Sequence, residues 1–212
     1  QDSAGILMFE QCQRNRVIQN SATHGGDGFF GFAGKEALGE VGEHEVDWYR
    51  RRGNNDNVFI GNDFSYAAAH GLEMTFSFGN RILANTFEGN AICGIWGGFS
   101  QDLLIAHNMF SKNGFAGYGL ERGDVNIDHG SNNRLVHNSH SDSACGVHLW
   151  ELATSFSQKP WGKANLARPM KENFVLSSRF KGNSVDFHTR GSVHFAVYGN
   201  VHNAAGSPHD IA

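Results

Sequence analysis

Apolar and polar residues alternate over short stretches of this chain, and the stretches recur. The hexapeptide NRVIQN at 15–20 returns as NVFIGN at 57–62, NRILAN at 80–85 and NRLVHN at 133–138, with looser copies at 103–108, 173–178 and 195–200. Each sets two or three apolar residues between polar ends, the pattern of a short strand. A phenylalanine stands two residues after the closing Asn at Phe64, Phe87 and Phe110, and Phe180 stands likewise after Ser178. A glycine then opens an alternating segment at Gly28, Gly71, Gly94, Gly117 and Gly146. The steps from 71 to 94 and from 94 to 117 are both 23 residues. Longer steps predict insertions at 35–55 and 153–172, the second ahead of Ser184 as the next equivalent of Gly146. A fixed period of this length predicts a solenoid. With no ten-residue helical pattern between strands, it reads as an all-β, right-handed parallel β-helix of about seven coils with two insert loops. The closing residues Asn20, Asn62, Asn85, Asn108, Asn138 and Asn200 would stack as amide ladders. The repeat runs from Gly5 to about Asn203, so 1–212 reads as one β-helix domain, part of a longer chain. Neither terminus reads as a cap, and end-to-end or flanking-domain contacts are expected.

Alternation also assigns faces. Counting from each glycine, the first, third and fifth positions are apolar or small and face the coil interior, including Leu72, Met74, Phe76, Ile95, Phe99, Val147 and Phe187. The second and fourth face outward: Leu7 and Phe9, Phe30 and Phe32, Glu73 and Thr75, Trp96 and Gly98, His148 and Trp150, Asp186 and His188. A solvated sheet face carries bland polar residues, whereas this one carries aromatics, acids and histidines. Phe9, Phe30 and Phe32 need cover, from the first insertion or from sequence before Gln1. In the fifth coil two registers stay open. One starts at Gly117 and turns Glu121 outward; the other runs from Val125 to His129 and turns Asn126 and Asp128 outward. The second preserves the apolar alternation and is favoured. His24 and Asp27 fall in a Gly-rich turn, and His70, Cys93 and Cys145 precede their strands and point inward.

Composition narrows the rest. A net charge of −4 offers no basic surface for nucleic acid, and no apolar run is long enough for a membrane span. Three cysteines, an odd number without metal-type spacing, argue against a disulfide framework, and twelve histidines show no HExxH pattern, so no metal or cofactor is expected.

The N-x-F turn, the Gly-opened strand and the NRIxxN strand resemble the pectate-lyase-like superfamily, closest to NosD-type and carbohydrate-binding/sugar-hydrolase repeats. The resemblance implies a secreted or periplasmic protein acting on a polysaccharide or oligosaccharide, with calcium held by groove carboxylates as an alternative to no cofactor. Glycoside hydrolysis is the leading reading. Glu73 and Asp128 lie roughly 12 Å apart at the backbone, so leaning side chains approach the roughly 6.5–9.5 Å of an inverting carboxylate pair. Glu121 is the substitute for Asp128, and His148 would orient substrate or move protons. Trp96 and Trp150 would stack on sugar rings with the indole N–H left to donate, and Asn126, Thr75, Asp186 and His188 would line the subsites. Elimination or epimerisation of an acidic glycan is the alternative, disfavoured because no Lys or Arg occupies an outward position. A non-catalytic carbohydrate-binding module is the third. In each, the two inserts would wall the groove.

Overall fold

The computed structural model describes residues 3–117, 119, 122–166, 169–191 and 193–203, and the backbone of 207–211. Three all-parallel sheets wind into a right-handed parallel β-helix. The first sheet stacks Ile6–Phe9, Phe29–Phe32, His70–Met74, Cys93–Trp96, Gly123–Asp128, Val147–Glu151, Val185–Gly191 and Ser207–Ile211. Seven three- to seven-residue strands form the second sheet, from Arg16–Ile18 to Val193–Tyr198, and five form the third, from Thr86–Glu88 to Val201–Asn203. Most strands place one or two apolar side chains inward, and the stacked columns (Val17, Phe59, Ile82, Ile105, Leu135, Val175 in the second sheet) form one continuous core.

The asparagine spacing now has its physical reason. Asn85 Oδ1 accepts from the backbone N–H and the side-chain amide of Asn62, while Asn85 repeats both bonds onto Asn108 Oδ1 and donates to Phe59 O. Such ladders satisfy backbone groups at corners where the sheet hydrogen bonds stop. Phe64, Phe87, Phe110 and Phe180 point inward beside them, all at or below 1% exposure. Glycine opens the next strand because a Cβ there would meet the ring: 2.7 Å from Phe87 at Gly71, and 2.8 Å from Phe180 at Gly146.

Two coils break this Gly–Phe rule, and they break it in pairs. Asp124 and Asp186 stand where the other coils have glycine, and His140 and His202 stand where the others have Phe. His140 Nδ1 meets Asp124 Oδ2 at 3.0 Å and His202 Nδ1 meets Asp186 Oδ2 at 2.7 Å. The imidazoles continue the ring stack, at 5.0 Å from Phe110 to His140 and 4.6 Å from His140 to Phe180.

These pairs set the registers. Val125 lies opposite Ile95 and Val147, and Asp128 opposite Trp150, which is the Val125–His129 register of the fifth coil. Glu121, the substitute acid, lies outside the described residues. In the seventh coil Phe187, not Val185, lies opposite Val147, two residues from the expected alignment. Asp186 therefore sits at the corner and turns into the coil, where Asn183 and His202 hold its carboxylate. It is not an outward subsite residue. The same shift puts exposed Arg190 opposite Trp150, so the outer face does carry an arginine.

Phe76 and Phe99 also depart from expectation. Both have left-handed backbone, φ 50° and 59°, which ends the strand and swings the rings out of the coil interior. They stack at 4.8 Å beneath the inserts, against Phe156 and Trp161. The first insert folds as helical turns at Lys35–Leu38 and Val46–Tyr49, and the second at Ser155–Gln158 and Pro160–Asn165. They pack on each other rather than as two groove walls. Trp161 is fully buried and donates to Arg52 O at 2.8 Å, and Asn165 bonds Tyr49 O and the Arg51 N–H. This second core reaches Phe32 but leaves Phe9 46% exposed.

Candidate functional site

Two rows cross the outer face of the first sheet. One runs Glu73, Trp96, Asn126, His148, His188; the other places Asp128, Trp150 and Arg190 two residues further along their strands. Thr75 follows Met74 at the strand end and is buried. The accessible groups in the middle of the face are Glu73, Trp96 and Trp150, all half-buried, with the indole centroids 6.2 Å apart.

Asn126 and His148 are closed from solvent, and His188 is nearly so. They form a floor. Trp150 Nε1 donates to Asn126 Oδ1 at 2.8 Å, so the indole N–H is spent within the protein rather than offered to a ligand. That bond fixes the amide, whose Nδ2 then donates to His148 Nδ1 (3.2 Å) and to Arg122 O. His148 stacks on His188 at 4.3 Å with rings 1° from parallel. The row anchors Trp150 from below, and the expected direct contacts of Asn126, His148 and His188 with a substrate have no open path here.

Glu73 belongs to a group that alternation did not bring together. His70 Nδ1 lies 3.1 Å from Glu73 Oε2 and 3.1 Å from Asp27 Oδ1, and its ring faces Trp96. His70 thus sits against the outer-face residues instead of pointing inward, and Asp27 is more than a turn residue. Burial opposes charge on this imidazole, but hydrogen bonds and attraction from the two carboxylates outweigh it and raise His70 to about 9. Among the described residues, these three form the group with ligand atoms close enough, within 4.8 Å, to hold a metal ion. One nitrogen and two oxygens suit a first-row divalent ion better than calcium, which takes oxygens alone. The sequence did carry a signal: Asp27 and His70 occupy the same position of successive coils, and Glu73 follows three residues later.

Asp128 is 6% exposed, and burial pushes its carboxyl up from the ordinary range while the adjacent His129 opposes that and Glu151 adds to it. His129 Nδ1 bonds Asp128 Oδ1, His129 Nε2 donates to Leu152 O at 2.7 Å, and the ring stacks on Phe99. A cleft of about 560 Å³ lies elsewhere, between Glu10–Gln11 and residues 33–42.

The model of the family described as the right-handed beta helix region matches residues 48–158, more than half of the chain, and the protein belongs to that family. No curated protein matches the sequence. Among the described residues no helix is long and apolar enough to cross a membrane.

Proposed function

We propose that this protein is a carbohydrate-active enzyme, secreted or periplasmic, that seats a glycan across Trp96 and Trp150 and hydrolyses it between Glu73 and Asp128. The observation that carries the reading is the diagonal these four side chains make: two half-open indoles 6.2 Å apart, an accessible carboxylate beside one and a buried carboxyl beside the other. Trp150, tethered through its N–H, presents a fixed apolar face to the sugar ring. Carboxyls in such unequal environments suit unequal roles. Asp128, pushed up by burial, protonates the glycosidic oxygen as the C–O bond breaks. Glu73 takes a proton from the water that adds to the anomeric carbon.

Arg190 opposite Trp150 favours one second reading, elimination on an acidic glycan, because a guanidinium there would neutralise a uronate. A polysaccharide panel read for reducing ends and for absorbance of unsaturated product separates the two. Reducing ends alone, lost in Glu73→Gln and in Asp128→Asn, support hydrolysis. Unsaturated product lost in Arg190→Ala supports elimination. Binding abolished by Trp96→Ala without any turnover assigns a non-catalytic binding module.

A further inference from the structure

We propose that His129 is the positioning residue for the acid, holding one proton in common with Asp128; this rests on the hydrolytic reading above. Leu152 O is a carbonyl and can only accept, so His129 Nε2 carries a hydrogen. His129 Nδ1, bonded to Asp128 Oδ1, then has two states. Either Nδ1 is bare and accepts from a neutral carboxyl, or it is protonated and donates to a carboxylate. Both states contain the same single proton between the two groups, and the pair is net neutral in each. Moving that proton changes no total charge, so attraction within the charged state offsets part of the burial penalty that a lone carboxylate would meet in full.

The surroundings preserve this arrangement. Phe99 stacks on the His129 ring at 5.1 Å and Trp150 meets it edge-on at 6.4 Å. Among the described residues, Glu151 also bears on Asp128, and its Oε2 accepts from the Met170 N–H. Leu152 stands just ahead of the second insert, so the same carbonyl that fixes the His129 tautomer ties the acid to that loop. In the reaction the shared proton passes to the glycosidic oxygen as the C–O bond breaks, leaving Asp128 as carboxylate beside neutral His129. The proton that Glu73 removes from water returns through solvent and restores the pair.

The test uses the full chain and two readouts. Long-range nitrogen NMR of the labelled protein should show His129 Nε2 protonated and a downfield proton shared at Nδ1, absent in Asp128→Asn. A bare Nε2, or an Nδ1 signal unchanged by Asp128→Asn, overturns the proposal whether or not a substrate is known. His129→Asn keeps a residue type that tolerates the left-handed φ of 53° and can still donate to Asp128, but it holds no transferable proton. On a hydrolysed glycan it should move the basic limb of kcat/KM down by at least one pH unit and leave KM within twofold. A uniform fall in kcat with the limb in place assigns His129 a structural role only. If no glycan is cleaved the hydrolytic reading fails, while the NMR result still decides the pair.

Discussion

Exchanging the buried Asp124–His140 pair for the Gly–Phe pair of its neighbours probes how each coil is built. Both side chains are wholly buried, and the carboxylate also accepts from Asn113 Nδ2 and Ser143 Oγ. His140→Phe supplies the ring found in adjacent coils but strips the buried Asp124 carboxyl of its Nδ1 partner, a loss of about 1–3 kcal/mol. Asp124→Gly strips His140 of its Nδ1 partner; its Nε2 has no hydrogen bond among the described residues, so both nitrogens are then orphaned, at a cost of about 2–4 kcal/mol. The double variant recreates the Gly71–Phe87 arrangement. Asn113 and Ser143 keep bonds to Phe87 O and Ser141 O, so each side chain retains a partner. Replacing both partners of a buried polar pair by apolar groups of matching shape is close to neutral, against about 1 kcal/mol for the added chain entropy of glycine. The double variant should therefore unfold within about 2 kcal/mol of the parent, with a coupling between the sites of about 1 kcal/mol or more. Urea unfolding of the four proteins at one pH measures this, provided the slopes agree. Additive losses, or a costless His140→Phe, would show that the pair is not the unit we describe.

Three further outcomes follow from the same packing. Because His70 is raised from 6.5 to about 9, its contribution is fully present below pH 6.5 and is lost as pH rises through 9. That loss is at most about 3 kcal/mol, should vanish in His70→Gln, and would be contradicted by a flat urea midpoint between pH 6 and 9.5. Asn85→Ala removes an acceptor of two bonds and donors of two more inside the core. It should cost about 2–4 kcal/mol in global unfolding, and a loss below 1 would deny the ladders a stabilising role. Trp161→Ala should act locally: exchange of amides in 35–55 and 153–166 should rise by orders of magnitude while the Asn-ladder amides stay protected. Equal deprotection everywhere would show that the inserts and coils unfold together.

The coils were legible because each position of the repeat meets the same neighbours above and below, so local chemistry repeats with them. Asn at the corner, Phe two residues on and Gly at the next strand are each forced by one contact. The pattern fails where a single coil replaces that contact with another. Gly117 and Ser184 mimic the strand-opening residue of their coils, and counting from Ser184 turns Asp186 outward, but the positions opposite Gly146 are held by Asp124 and Asp186. His140 and His202 in the phenylalanine column were the readable sign that the partner position held an acid, at 124 and 186. The site was less legible. Which of two adjacent aromatic or amide groups is open depends on rotamers and on the closing bond from Trp150 to Asn126, and alternation gives neither. The turn of Phe76 and Phe99 out of the interior depends on a left-handed backbone that neither residue type advertises.

The asparagine ladders have a consequence for how such a chain can change length. Between the closing asparagines of successive coils the spacing grows from 23 residues at 62–85 and 85–108 to 42 at 20–62, 30 at 108–138 and 40 at 138–178, where Ser178 takes the place. Yet each corner residue lands on the one below with the same bond. Each rung is an error-correcting step: whatever was added since the last one, the count returns to zero there. New segments can be grafted into this molecule one at a time, and a site can be assembled from additions made independently on different coils.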